Sequence, residues 1–190
     1  MIVGFSTSSP RASVAIFSDH GALLYAAEDE AKMAASGVVL RLLEEGFSQL
    51  RIMPIDVVLW LADLGPGSFT GTRVGVTLAK TFAFASQTRC GGANAFDLIS
   101  PTGDVVVPNK RNEWFVRRDG QVRIEHSCPR GALGYGAGID EPSYPSAANF
   151  SSILEKVERI SPERLVPRYL VEPSISTPKT PLSKVNASSD

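Results

Sequence analysis

One strand–turn–helix pattern in the first half of the chain constrains the fold most. Residues 55–61 are a nearly continuous apolar run, which is typical of a strand buried on both faces of a sheet. Gly65 and Gly67 then allow a sharp reversal of the backbone. Ser68 is a candidate N-cap for a helix over residues 69–86, which contain no proline. The pattern predicts an α/β fold with a mixed sheet.

The glycine turn has two interpretations. Free N–H groups at a helix N-terminus attract phosphate, so Gly65, Gly67, Ser68 and Arg73 are candidate contacts for a phosphate or nucleotide. The alternative is a purely structural turn. The P-loop pattern does not fit, because Gly71 is not followed by lysine and a hydroxyl residue.

Two predicted helices carry more apolar surface than one buried face requires. Small residues recur at every fourth position of the helix over residues 69–86, so another backbone can approach it closely. The helix predicted over residues 32–50 is also apolar on more than one face. We predict that both helices face a partner, and the alternative is burial within the chain's own domain. The predicted partner contacts are Val38, Val39, Leu42, Leu43, Gly71, Gly75, Val76, Ala79 and Ala83.

Residues 65–76, which read GPGSFTGTRVGV, resemble the signature of the bacterial TsaB (YeaZ) family, relatives of the glycoprotease-like TsaD proteins. The resemblance covers residues 1–95, fades in the middle and returns at residues 144–148 and 166–170. It implies the actin-like, sugar-kinase-like ATPase (ASKHA) fold. It further implies a complete N-terminal lobe over residues 1–95 and a reduced C-terminal lobe over residues 96–172.

The resemblance also implies a function. Members of the family act in making threonylcarbamoyladenosine in tRNA, in a complex with a TsaD-like catalytic subunit and a TsaE-like ATPase. The implied role is a non-catalytic scaffold that docks TsaD through its two helices and forms a homodimer when alone. No cofactor is required, and ATP or ADP is a candidate ligand at the partner interface. With a net charge of −1, we expect any tRNA contact to be indirect or weak.

Three features set this chain apart from enzymes of the fold. Ser6 stands where relatives carry the acid of an Asp-Thr-Ser turn, and a neutral hydroxyl is a poor ligand for Mg²⁺. Ala35 stands where relatives often carry a histidine. His20 and His126 are too far apart in sequence to form a helical metal-binding pair, so we expect no metal site.

Two alternatives to the scaffold role stay open at this point. One is a small actin-like nucleotide-binding enzyme, or a degenerate glycoprotease-like protein, with an activity of its own. The other is a homodimeric interaction module without a tRNA role. Ser6 and the missing histidine pair argue against an enzyme.

The rest of the chain adds weaker signals. Further strands are predicted at 2–5, 13–17, 23–27, 104–107, 113–117 and 121–125, a loop at 131–138, an amphipathic helix at 146–160 and a disordered tail at 173–190. Basic and aromatic residues alternate in the second group of strands, which fits either single-stranded RNA binding or a solvated strand face. The first residues resemble a strand rather than a signal peptide, and no apolar run reaches the roughly 18 residues of a membrane helix. Free thiols at Cys90 and Cys128 fit a reducing cytoplasm.

Overall fold

A mixed five-stranded sheet forms the first part of the structure. The computed structural model describes residues 1–31, 34–110 and 112–170. In spatial order, the strands are β3 (Leu23–Glu30), β2 (Arg11–Phe17), β1 (Ile2–Ser6), β4 (Leu59–Asp63) and β5 (Arg89–Ala93). β1 pairs antiparallel with β2 and parallel with β4. The predicted meander of three strands is confirmed, and the sheet is mixed as expected.

Two long helices cover one face of this sheet, α1 (Ala35–Leu50) and α2 (Phe69–Ala85). Alternate residues of a strand point to opposite faces, so Phe5 and Trp60 point together toward the helices, with their ring centroids 5.9 Å apart. The helix predicted from residue 32 begins at Ala35, after a non-helical Ala34, and residues 32 and 33 lie outside the described part of the chain.

The strand predicted over residues 55–61 begins later than expected. β4 starts at Leu59, and Pro54–Asp56 forms a 3-10 turn that leaves the Ile55 side chain 73% exposed. The Asp56 carboxylate accepts the Met53 N–H at 2.8 Å and holds the turn. Local turn chemistry outweighs the apolar character of this segment.

The opposite face of the first sheet is covered by short elements. These are α3 (Ala95–Ile99) and the 3-10 turns Ala147–Ser152 and Leu154–Lys156. The amphipathic helix predicted over residues 146–160 is therefore wrong. Phe150 and Ile153 are buried as expected, but the Ile153 N–H bonds Phe150 O at 3.0 Å, which is the tighter 3-10 pattern.

A second, four-stranded sheet follows. Its strands are, in spatial order, β8 (Gln121–Glu125), β7 (Trp114–Arg118), β6 (Val105–Pro108) and β9 (Leu133–Gly134). The three predicted antiparallel strands are confirmed. The predicted loop at 131–138 is partly wrong, because β9 pairs parallel with β6. Gly134 permits this pairing, since a Cβ there would lie 2.0 Å from Val106 O.

Three sequence predictions concern the tail, the domain boundary and membrane segments. The tail over residues 173–190 lies outside the described residues, as do residues 171 and 172. The domain boundary between residues 95 and 96 stays a prediction. Within the described ranges, no helix is both long and apolar enough to cross a membrane.

Candidate functional site

The glycines of the signature seat the turn between β1 and β2, residues 7–10, against the start of α2. A Cβ at Gly67 would lie 2.2 Å from Ser8 O, and a Cβ at Gly71 would lie 2.0 Å from Thr7 O. At Gly75 it would lie 2.6 Å from Thr7 Oγ1. The close approach predicted from the small-residue stripe therefore exists, but the approaching backbone belongs to the chain's own hairpin turn.

This arrangement leaves most of the predicted partner contacts buried in the isolated chain. Only Val38 is partly exposed among the nine residues, whereas the chain's own core encloses Val39, Leu42, Leu43, Gly71, Gly75, Val76, Ala79 and Ala83. The helices are apolar on several faces because the sheet, the hairpin turn and the neighbouring helix each cover one of them. These eight residues therefore have little or no exposed surface in the isolated chain, and the partner surface on the two helices stays a prediction.

Thr7 locks the hairpin turn to α2 by hydrogen bonds. Its Oγ1 donates to Gly71 O at 2.7 Å and accepts the Gly75 N–H at 3.1 Å. The Ser68 N–H donates to Ser8 O at 2.6 Å. Ser68 also caps the helix, as predicted, because its Oγ accepts the Gly71 N–H at 3.1 Å. The hairpin turn and the first turns of α2 therefore form one hydrogen-bonded unit.

Asp63 lies beneath this unit and has no exposed surface. Its Oδ2 accepts a hydrogen bond from Ser6 Oγ at 2.8 Å and a short one from Ser8 Oγ. Its Oδ1 accepts the Gly65 N–H at 2.8 Å. Burial raises the pKa of the Asp63 carboxyl, and the hydrogen bonds from Ser8, Gly65 and Ser6 oppose that rise. A carboxylate therefore lies beside Ser6, although Ser6 itself replaces the acid expected in the first hairpin.

The sequence analysis missed Asp63. The available signal was a single acidic residue placed directly after the apolar run of β4 and before the glycine turn. Such a residue at the carboxyl end of a buried strand marks a site with a structural or chemical task. The hydroxyls that bond it come from another strand and its turn, more than 50 residues away in sequence.

The candidate phosphate contacts are largely occupied within the chain. The Gly65 N–H bonds Asp63, the Ser68 N–H bonds Ser8 O, and Ser68 Oγ is used by the helix cap. Gly67 lies against the hairpin turn, where its missing side chain admits Ser8 O. The structure therefore favours the structural interpretation of the glycine turn.

Arg73, the fourth candidate phosphate contact, belongs to an exposed cluster that we call the aromatic clamp: Phe69, Arg73 and Tyr169. The Arg73 guanidinium carbon lies 3.8 Å from the centroid of the Phe69 ring. Its Nε donates to Tyr169 Oη at 2.9 Å. The clamp ties residues near the end of the described chain to the first turn of α2.

A cleft of about 1040 Å³ opens beside the hairpin turn and the clamp. The first sheet's hairpin turn, the start of α2, the second sheet and residues 168–170 line it. Among the described lining residues, Lys110 and Arg168 are charged and none is acidic. Ala35, where relatives often carry a histidine, also lines this cleft.

Tyr135 joins the second sheet to the hairpin turn. Its hydroxyl donates to Ser8 O at 3.4 Å, and the side chain is almost fully buried. Burial and the nearby Asp63 raise the pKa of the Tyr135 phenol, so it stays a neutral donor at physiological pH. Through this hydrogen bond the second sheet contacts the hairpin turn, whose Ser8 hydroxyl also bonds Asp63.

Ion pairing within the chain and burial of the aromatic rings argue against an RNA-binding face on the described part of the second sheet. Arg117 is buried and pairs with Asp97 at 2.7 Å, and Arg118 pairs with Asp104 at 2.6 Å. The aromatic rings of Trp114 and Phe115 are buried too. Of the other basic residues in this region, Lys110 lines the cleft, Arg123 is exposed and bonds Gln121, and residue 111 lies outside the described part of the chain.

A bacterial protein resembles part of this chain in sequence. No protein-family profile matches the chain. The uncharacterized protein ML0378 of Mycobacterium leprae is 31% identical over 150 residues, which cover 66% of this chain. This chain spans only about two fifths of that relative, or 41% of its length.

Comparison of structures identifies the fold. YeaZ from Pseudomonas aeruginosa matches with a TM-score of 0.68 and 18% identity, over 89% of this chain and 99% of that protein. A crystal structure titled as an uncharacterized protein with similarity to peptidase YeaZ from Pseudomonas aeruginosa matches with a TM-score of 0.69 and 18% identity. That match covers 90% of this chain and 99% of the other. The resemblance found in the signature is confirmed at the level of structure: the chain has the mixed α/β fold of YeaZ, with two sheets.

Proposed function

We propose that the chain is a TsaB-like, non-catalytic subunit that supports a TsaD-like catalytic subunit in making threonylcarbamoyladenosine in tRNA. The observation that carries the proposal is the likeness to YeaZ over 89% of this chain and 99% of that protein. The signature at residues 65–76 adds to it. In this proposal the complex works in the cytoplasm and includes a TsaE-like ATPase.

The proposal includes the ASKHA fold and its two lobes. The first sheet with α1 and α2 corresponds to a complete N-terminal lobe, and the smaller second sheet to a reduced C-terminal lobe. The cleft between the hairpin turn and the second sheet then corresponds to the space between the lobes. ATP or ADP is a candidate ligand there when the partner subunit completes the site.

The chemistry of the site favours a supporting role over an independent enzyme. The N–H groups of Gly65 and Ser68 already have partners in the chain, so a phosphate would have to compete with them. Asp63 is fully enclosed and bonded by two hydroxyls, which keeps its carboxylate away from the cleft. The groups that could serve catalysis are instead used to fix the hairpin turn.

We predict that the purified chain does not hydrolyse ATP at a steady rate. Phosphate release would be measured with Mg²⁺ and ATP, for the wild type and for Ser6→Ala. The expected result is background release for both proteins. Steady turnover that Ser6→Ala abolishes would establish the alternative of an enzyme with its own activity.

The outward face of the two helices is the proposed docking surface for the TsaD-like subunit. On α2 this face carries Arg73, Thr77 and Phe84, and the Phe84 side chain is 73% exposed. On α1 it includes Leu40, which is 39% exposed. An exposed face with large apolar side chains is typical of protein interfaces.

We predict that Thr77→Trp weakens binding to the TsaD-like subunit at least about tenfold, because a large ring is forced into the centre of the interface. The measurement is a calorimetric titration, with light scattering for the homodimer. Ser152→Trp is the control, because Ser152 is exposed on the 3-10 turn that covers the opposite face of the sheet. If both variants lose affinity equally, or if Thr77→Trp loses none, the outer face of α2 is not part of the interface.

A further inference from the structure

We propose that the aromatic clamp is an anchor for a protein segment that presents a carboxylate next to an apolar side chain. The inference rests on the proposed function, because it assigns that segment to the TsaD-like partner. It adds a site at the N-terminal end of α2 and a chemical class for the group that binds there.

The clamp holds the Arg73 guanidinium in a fixed orientation. Its planar group stacks on Phe69, and the ring centroids of Phe69 and Tyr169 lie 5.1 Å apart. The hydrogen bond from Nε to Tyr169 Oη uses one edge of the guanidinium. The two terminal nitrogens form no hydrogen bond or ion pair with the described residues, so they present a fork that suits a carboxylate.

The clamp also carries an uncompensated positive charge. Arg11, Arg41, Arg117, Arg118 and Arg164 each pair with a carboxylate. In the described part of the chain, Arg73 and Arg168 have no such partner, and the same holds for Arg51, Arg89, Arg123, Arg130 and Arg159. Among these, Arg73 is the one held against an aromatic ring. The cleft beside the clamp has no acidic lining residue among those described, although Arg168 also lines a neighbouring pocket with Asp97, Asp104 and Asp119. Charge complementarity at Arg73 therefore favours an acidic bound group.

The surroundings of Arg73 are apolar and exposed. Phe69 is 39% exposed, Tyr169 42% and Leu170 44%, and all three line the mouth of the cleft. Aromatic residues and arginine are the types most enriched at binding hot spots. The rings are already ordered by their contacts with Arg73, so little side-chain entropy is lost when a partner binds.

A protein segment fits these features better than RNA does. Tight RNA binding requires many phosphate contacts, whereas Arg117 and Arg118 of the second sheet are used in ion pairs within the chain. A phosphate at the signature would have to compete for N–H groups that the hairpin turn already uses. A carboxylate beside an apolar side chain satisfies both the free guanidinium and the exposed rings.

The test is a calorimetric titration of the full-length chain with the TsaD-like subunit of the same organism, at 50 and 300 mM NaCl. We expect Arg73→Glu to weaken binding about 100-fold and Arg73→Lys about tenfold, because lysine lacks the bidentate fork. Wild-type affinity should fall at the higher salt concentration, and that fall should be smaller for Arg73→Gln. Arg123→Glu is the matched control, because Arg123 is exposed on β8 and bonds only Gln121.

Thermal melting of each variant shows whether it is folded. If Arg73→Glu does not fold, Arg168→Glu replaces it, with an expected loss of about tenfold. If the folded charge-reversal variant binds with wild-type affinity, the aromatic clamp is not the anchor, and the proposed function stands. Failure of the wild type to bind overturns both. If Arg73→Glu instead abolishes binding of tRNA or ATP while the TsaD-like subunit binds normally, the anchor serves a nucleic acid or nucleotide, and the inference is wrong.

Discussion

Replacing Gly71 with alanine is expected to lower the melting temperature by roughly 6–12 °C. The new Cβ would lie 2.0 Å from Thr7 O, which is a backbone atom and cannot rotate away. The hairpin turn that carries this oxygen is held by the Ser68 N–H and by Thr7 Oγ1, so relief requires moving the whole turn. Overpacking of this kind costs about 3 kcal/mol, and a chain of this size loses about 2–4 °C per kcal/mol.

Gly37→Ala is the matched control for this experiment. Gly37 also lies in a helix, but a Cβ there meets no atom within 4 Å. Alanine is favoured over glycine in a helix by about 0.5–1 kcal/mol, so this variant should melt slightly higher than the wild type. Both are measured by circular dichroism during heating. A Gly71→Ala protein as stable as Gly37→Ala would show that the hairpin turn is not firmly seated on α2.

The signature illustrates what the sequence predicts well. The turn, the helix over residues 69–85 and the Ser68 cap follow from local chemistry, because each depends on residues only a few positions apart. Glycine spacing also predicts correctly that some backbone approaches α2. The spacing does not identify that backbone, because Thr7 and Ser8 come some 60 residues earlier in the chain. The spacing alone therefore does not distinguish a contact with a partner from one that the chain makes with itself.

The site around Asp63 shows a second limit. Ser6 is conspicuous in the sequence because it replaces an expected acid, but its partner carboxylate is at the end of another strand. Parallel pairing of β1 and β4 brings the ends of the two strands together, and the sequence does not specify that pairing. The predicted helix at 146–160 fails for a different reason: buried residues at positions 150 and 153 fit a 3-10 turn as well as an α-helix.

The Asp63→Ala substitution is expected to destabilise the chain by about 3 kcal/mol, or roughly 6–12 °C in melting temperature. It leaves the Gly65 N–H and the buried Ser8 hydroxyl without their acceptor, removes one of the two acceptors of Ser6 Oγ, and opens a small cavity. Asp63→Asn keeps the shape and one carbonyl oxygen, so its cost at neutral pH should be smaller. Asp140→Ala is the control for loss of a surface acid, because Asp140 is exposed. A melting temperature of Asp63→Ala equal to that of the control would mean that the carboxylate does not hold the hairpin turn and the signature together.

The pH dependence of stability shows which of two opposing influences on the pKa of Asp63 is larger, burial or hydrogen bonding. Burial raises the pKa of its carboxyl in the folded chain above the unfolded value of about 3.9, because the hydrogen bonds from Ser8, Gly65 and Ser6 only partly offset it. A raised pKa means that the fold favours the protonated form. The stability that this group contributes is therefore fully present below the unfolded pKa and is lost as the pH rises through the folded pKa.

Asp63→Asn has no such titration, so its stability relative to the wild type should improve as the pH rises above about 4. Denaturant unfolding of both proteins between pH 4 and pH 8 measures this difference. If the wild type instead gains stability relative to Asp63→Asn over that range, the three hydrogen bonds outweigh burial, and Asp63 is stabilised as an ionised anchor.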